Sequence, residues 1–230
     1  MAIFKKLLIG LVGLIVVIVL AGFLLPRQFK VEREIMITAG TIPIYQMISA
    51  PTNWPKWAVW NKRDPNMALT FSGTGGGAGA KWSWQSKTEG NGMMEFTEAD
   101  SPRRIVYKVS FPDMNMVSTG ELKLTAISDS LTKVSWSNEG DFGNNPVFRY
   151  LGLVMDKMVG PDFDAGLASL KTLIEKQVAD EAAANSAEIA AAAAATPVAT
   201  ATSAEPLNAD APKALPLPRK PSNSFDRKAP

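Results

Sequence analysis

The chain has no histidine and no cysteine among its 230 residues, so the side chains that most often act as proton shuttle, nucleophile or soft metal ligand are missing. Any chemistry falls to carboxylates and phenols. The acids near expected helix or cavity positions are Asp64, Glu95, Glu121, Asp156, Asp162 and Asp164, and the only phenols are Tyr45, Tyr107 and Tyr150. A buried carboxylate of raised pKa, or a tyrosine, can serve as general acid or base. No spacing singles out a pair. Asp64 suits a turn with Pro65 and Asn66, and Asp162 and Asp164 suit a helix start after Pro161, where negative charge meets the helix dipole. A cation site made of oxygens alone needs a patterned acidic loop, and the sequence has none. No metal and no cofactor is expected, and the residues favour binding over catalysis.

What the chain has in quantity is aromatic surface. Five of its six tryptophans, Trp54, Trp57, Trp60, Trp82 and Trp84, fall in one stretch. Large aromatic side chains bury the most area per residue and build apolar pockets. The elements that must position them read as follows. Residues 29–39 alternate Val31, Arg33, Ile35 and Ile37 against Glu32, Glu34 and Met36, the pattern of a half-buried strand. A short helix over 42–49 follows, with Thr41 as N-cap and Pro43 in the first turn. Six more strands are expected at 67–72, 80–86, 92–99, 103–111, 116–128 and 131–139, joined by short turns as antiparallel hairpins. From 147 to 178 the period becomes helical, and Gly160-Pro161 should kink or restart the run.

One long helix must then cover one apolar face of the sheet. Alternation groups Trp82 with Trp84, Ile105, Tyr107 and Val109 with Phe111, Leu122 and Leu124 with Ala126, and Val134 with Trp136, all toward the helix. If the helix leaves the concavity partly empty, the lining candidates are Trp82, Trp84, Phe96, Tyr107, Val109, Leu122, Leu124 and Trp136 on strands, with Met155, Met158 and Phe163 on the helix. The same pattern also fits a solid core. Trp54, Trp57 and Trp60, spaced by three, are expected mainly to pack.

The ends differ from the middle. Leu7 to Leu25 runs 19 residues without a charged side chain, a helix of about 28 Å, close to the thickness of a bilayer core. Residues 1–27 therefore read as a single-pass membrane anchor, with a cleaved signal peptide as the rival. The flanking charges nearly tie; the short leading tail places the domain in the periplasm or cell exterior. Residues 1–30 carry Lys5, Lys6, Arg27 and Lys30 and no acid, which accounts for the overall +2. Without a basic face in the body, nucleic-acid binding is not expected. Residues 179–230 open on an alanine-rich, helix-forming run and pass into proline and alanine, a composition that cannot offset its own conformational entropy. They read as a disordered tail, in which residues 216–221, PLPRKP, offer a polyproline-type ligand to a protein partner. The glycine run Gly73 to Gly79 lacks a following Lys-Ser/Thr and joins two strands, so it reads as a flexible hairpin at the cavity mouth and not as a phosphate loop.

The order of elements, together with NWPKWAVWNKRDPNM (53–67), FSGTGGGAGAKWSW (71–84), LTKVSWSNEG (131–140) and MDKMVGPDFDAGLASLK (155–171), resembles the polyketide cyclase/dehydrase branch of the START-like (SRPBCC) superfamily over about residues 31–177. The resemblance implies an α+β helix-grip fold, as in Bet v 1-like proteins, for residues 28–178. An antiparallel sheet of about six to seven strands would wrap a long C-terminal helix and enclose a deep hydrophobic cavity. It also implies that the glycine hairpin can act as a lid, with Gly160-Pro161 as a hinge opposite. Such cavities hold lipids, sterols, hormones and polyketides, and the fold implies no single activity. Three functions are open: a membrane-anchored binding or carrier protein for a hydrophobic, lipid-like small molecule; a polyketide cyclase/dehydrase-like enzyme; and a protein-interaction module with a vestigial cavity.

Overall fold

The computed structural model describes residues 2–195. Helix α1 (Ala2–Leu24) leads into β1 (Gln28–Ile37), then α2 (Thr41–Ile48), a single 3-10 turn (Pro51–Asn53), and two short helices, α3 (Trp54–Trp57) and α4 (Val59–Arg63). A meander follows: β2 (Ala68–Gly73), β3 (Ala80–Gln85), β4 (Gly92–Asp100), β5 (Arg104–Phe111), β6 (Met116–Ser128) and β7 (Leu131–Asp141). Helix α5 (Arg149–Ala195) closes the described chain. The sheet order is β1-β7-β6-β5-β4-β3-β2, with every neighbour antiparallel. The last strand thus returns to pair with the first, and the meander runs from β2 at the opposite edge to β7 beside β1.

The period of two sets the inner face. Val31, Ile37, Ile105, Tyr107, Leu122, Leu124, Val134 and Trp136 are all buried. Ala126, expected with them, is exposed, because it lies beside the register shift between Ala126 and Ser128 where β6 leaves regular pairing. The inner-face position of Arg33 also departs from an apolar core. Its guanidinium reaches α5 and forms a bidentate pair with Asp156 (Nη1–Oδ1 2.7 Å, Nη2–Oδ2 3.0 Å) and a third bond to Asp164 (3.1 Å).

Three local expectations fail, each for a physical reason. Pro161, expected to kink or restart the run, does not restart it; it sits inside α5. A proline there removes one backbone donor, but two guanidinium clasps hold the helix on either side: Arg33 on Asp156 and Asp164, and Arg63 on Asp162 (2.6 Å). Asp162 and Asp164 therefore serve these clasps in mid-helix and do not cap a start. Gly160 provides clearance for the first clasp, since a Cβ there would lie 1.9 Å from Arg33 Nη2. Thr41 is the first residue of α2, and the cap position belongs to Gly40, with no side-chain cap bond. Finally, α5 runs past Val178 into the alanine-rich segment, supported by high helix propensity and by the i,i+4 pairs Lys176–Asp180 and Gln177–Glu181. By its contacts the chain divides after Ile189, and residues 190–195 of the second unit are helical. The proline motif at 216–221 lies outside the described residues.

Candidate ligand cavity

The concavity of the sheet is filled at one end and empty at the other. At the filled end α2 lies against β6, and Ile44, Ile48, Leu167, Leu170 and Ile174 are completely or almost completely buried in one cluster with Ile105, Leu122, Leu124 and Val134. Trp136 marks the boundary. Phe163 stacks flat on it (centroids 4.1 Å apart, 4° between planes), and Trp54, Trp57 and Trp60 meet it edge-on. Gly166 allows this closeness: a Cβ there would stand 2.9 Å from the indole.

Beyond that boundary lies a cavity of about 330 Å³, at the small end of the range for small-molecule sites. The sheet contributes Phe29, Leu69, Trp82, Trp84, Met94, Tyr107, Val109, Phe111 and Met116 to its wall, and α5 contributes Leu151, Met155, Met158, Val159 and Phe163. Trp54, Ala58 and Trp60 close the side. Of the residues expected on the wall, Trp82, Trp84, Tyr107, Val109, Met155, Met158 and Phe163 are there. Phe96, Leu122, Leu124 and Trp136 are not. Leu122 and Leu124 belong to the filled end, Trp136 is covered by rings, and Phe96 is sealed behind Trp54 and Trp82. Trp54 and Trp60, expected mainly to pack, also face the cavity. Their spacing held no local signal for this, because the wall they complete is made by strands far away in sequence.

Polar atoms gather at two places. Inside, Tyr107, Ser118 and Asn138 form a patch on an otherwise apolar surface. Trp136 Nε1 donates to the Tyr107 hydroxyl at 2.7 Å, and Asn138 also bonds to that hydroxyl. Burial pushes the Tyr107 phenol up to about 12, against the opposing pull of the Trp136 and Asn138 bonds. The ring reaches this position by lying across β6 at Gly120, where a Cβ would come within 2.0 Å of it. At the edge, Glu89 and Asp162 face the cavity, and Arg63 grips both (2.8 and 2.6 Å), while Trp60 Nε1 donates to Asp162 at 2.9 Å. These two carboxylates hold the Arg63 guanidinium well above its ordinary pKa.

The remaining acids have structural partners or outer positions. Asp64 accepts bonds from Ser86 and the Asn66 amide, and Glu95 pairs with Lys81 on the outer face. Glu121 alternates with buried Leu122, and Asp156 is pulled below the usual carboxylate range by Arg33. Among the described residues no group of three or more acids is placed to hold a metal ion. The glycine hairpin is not at the cavity mouth. None of residues 73–79 faces the cavity; Gly77 N–H donates to Ser49 O and Gly79 N–H to Phe96 O, tying the loop to the closed side. Gly73, Gly77 and Gly79 adopt positive φ, which accounts for glycine at those three positions.

A seven-stranded antiparallel sheet gripping a long C-terminal helix over an apolar cavity defines a ligand-binding or cyclase-like domain of the helix-grip, START-like class. Residues 28–175 match the family described as polyketide cyclase/dehydrase and lipid transport, and the chain belongs to that family. Norcoclaurine synthase from Thalictrum flavum, solved with a transition-state analogue, is similar in structure at 16% identity, with 65% of this chain and 96% of that one covered and a TM-score of 0.51. The di-domain aromatase/cyclase BexL of the BE-7585A biosynthetic pathway aligns at 18% identity over 64% of this chain and 46% of its own, with a TM-score of 0.49. A protein from Thermobifida fusca aligns at 18% identity over 64% and 93%, also with a TM-score of 0.49. No curated protein matches the sequence. The likeness to norcoclaurine synthase bears on the fold alone; α1 lies outside the matched residues, as one helix (Ile3–Leu24) long and apolar enough to cross a membrane.

Proposed function

We propose that this chain is a membrane-anchored binding or carrier protein for one small, largely apolar molecule with a single polar end. Residues 1–27 anchor it, 28–178 hold the ligand, and 179–230 form a separate tail, with the domain facing the periplasm or cell exterior. The observation that supports this reading is the cavity itself: an apolar wall of aromatic, methionine and aliphatic side chains with one inner polar patch, Tyr107, Ser118 and Asn138. An apolar body removed from water gains about 25 cal/mol per Å² buried, and the patch orients it by offering hydrogen bonds at one end only. The size argues for one chain or a compact ring system, and a two-chained lipid would exceed it.

Cyclase-like chemistry would draw on the Tyr107 hydroxyl, the one phenol facing the cavity. A phenol held near 12 keeps its proton at neutral pH, which suits it to donate a hydrogen bond and not to remove a proton. Native mass spectrometry of the full chain, released from detergent, tests the proposal: a co-purifying hydrophobic mass supports it. An empty protein that also takes up no 1-aminoanthracene or fatty-acid probe would refute it. A reporter fused after Ala179 that is active only in the cytoplasm would reverse the orientation.

A further inference from the structure

Three cavity residues are also strongly exposed: Met114 (56%), Leu151 (43%) and Met158 (61%). They mark the mouth. Around it the surface stays apolar where a soluble rim would be polar. Phe148 is 47% exposed just before α5 and Val154 39% within it, on the side of the helix that carries Leu151 and Met158, and Val117, 56% exposed, stands on the outer face at the start of β6 beside Met116 of the wall. Contiguous exposed apolar surface of this kind marks an interaction site.

The same end of the domain is fastened to α1. Arg149, at the start of α5, is 8% exposed; its guanidinium donates to the carbonyls of Phe23 (3.0 Å) and Leu25 (3.3 Å) and lies 5.6 Å from the Phe23 ring centre. Tyr150 donates its hydroxyl proton to the Ile18 carbonyl at 2.7 Å. Gly22 packs so closely on Pro146 that a Cβ would lie 2.4 Å from its carbonyl oxygen. Ile18 is about 10 Å before the end of the apolar segment, at 1.5 Å per residue. A helix that crosses a bilayer therefore holds Arg149 at the level where the hydrocarbon begins and carries the Tyr150 hydroxyl about 10 Å below it, so the first turn of α5 enters the membrane beside α1.

We infer that the cavity mouth docks on the bilayer in which α1 sits. Met114 and Val117 on one side and Phe148, Leu151 and Met158 on the other enter the interface, and the ligand passes between lipid and cavity without crossing water. The contacts to α1 select lipid over a second copy or a soluble partner as the occupant, because they leave the rim no freedom to face elsewhere. This inference rests on the membrane-anchor reading above.

The absence of cysteine makes a direct test available. Single cysteines at Met114→Cys, Phe148→Cys and, on the far hairpin, Gly75→Cys carry an environment-sensitive fluorophore in the full chain, reconstituted into phosphatidylcholine vesicles containing a nitroxide-labelled lipid. The labels at 114 and 148 should shift to the blue and be quenched several-fold more than the label at 75. Quenching equal at all three sites overturns the inference, as does a blue shift at 114 and 148 that the nitroxide lipid does not quench, the sign of a second copy. Alkaline extraction of the same vesicles reads the anchor separately. A retained chain with unquenched labels defeats the docking alone, and a released chain with quenched labels defeats the anchor alone. Val117→Glu with Phe148→Glu, neither of them on the cavity wall, should slow transfer of 1-aminoanthracene from vesicles several-fold while equilibrium occupancy is unchanged; unchanged transfer counts against docking.

Discussion

Two tryptophans of similar composition and neighbouring role in the sequence should behave in opposite ways when truncated to alanine. Trp136 is fully buried, stacked on Phe163, and bonded through Nε1 to Tyr107. Trp136→Ala removes those contacts in a region that cannot collapse, and should cost about 3–5 kcal/mol of stability. Trp84 is half-buried on the cavity wall, edge-on to Phe111 at 5.8 Å, with its ring lying over Gly92. Trp84→Ala loses an aromatic pair worth about 0.5–1.5 kcal/mol beyond area and enlarges a space that already exists, so its stability cost should stay below about 2 kcal/mol. Its larger effect is on binding. Loss of one wall of an apolar site removes about 1–2 kcal/mol of ligand burial, or roughly five- to thirtyfold in affinity. Denaturant midpoints and 1-aminoanthracene titrations on the full chain in amphipol give both numbers for each variant. If Trp84→Ala destabilises as much as Trp136→Ala, or leaves probe affinity unchanged, the division of the concavity into a filled and an empty end is wrong.

The inner polar patch makes a second prediction: Tyr107→Phe leaves the buried Trp136 Nε1 without its acceptor and should cost about 1–3 kcal/mol. The same variant tests pH. A folded-state phenol at about 12 against an ordinary 10 stabilises the fold below pH 10, and that share is lost between pH 10 and 12; the wild type should therefore converge on Tyr107→Phe across this window in thermal melts, and parallel curves would exclude it. Gly120→Ala should destabilise by about 1–3 kcal/mol through overpacking on the Tyr107 ring, with loss of the Tyr107 near-ultraviolet circular dichroism, and a neutral result would mean that the ring lies elsewhere. Glu175 is held down to about 2 from an ordinary 4.5, first by Lys171 and then by the Thr38 amide. Its share of stability is complete above pH 4.5 and fades as pH falls toward 2, so Glu175→Gln should flatten the acid limb of the melting curve; an unchanged limb would show that the Thr38 contact carries no weight.

How far the residues foretell the structure depends on the range over which each feature is decided. Strand alternation is local, so Trp82, Tyr107 and Val109 could be placed on the inner face from spacing alone, whereas the partners of Arg33, grouped there with Val31 and Ile35, lie on α5 more than 120 residues away. The meander order followed from the short turns. Which part of the concavity stays empty is not local. It depends on Phe163 stacking over Trp136, on Gly166 allowing that approach, and on α3 and α4 carrying Trp54 and Trp60 across to strands up to eighty residues away. Pro161 shows the opposite failure. The local rule predicts a kink or a restart, and the helix runs on through Pro161 with the clasps of Arg33 and Arg63 around it.

Those clasps also connect the two ends of the site. Along one stretch of α5, Asp156 sits among the wall residues Leu151, Met155 and Met158, and Asp162 and Asp164 flank Phe163, where the filled end begins. Arg33 fixes this stretch to β1 and Arg63 fixes it to α4 and, through Glu89, to the loop before β4. The helix is thus held rigidly at the boundary of the cavity, where its own backbone bonding is interrupted by Pro161, while its first two turns carry exposed apolar residues and rest on α1. The unbranched methionines Met114 and Met158 stand exposed at the mouth and Met155 on the wall, whereas the boundary is built of stacked rings and ion pairs that leave less room to repack.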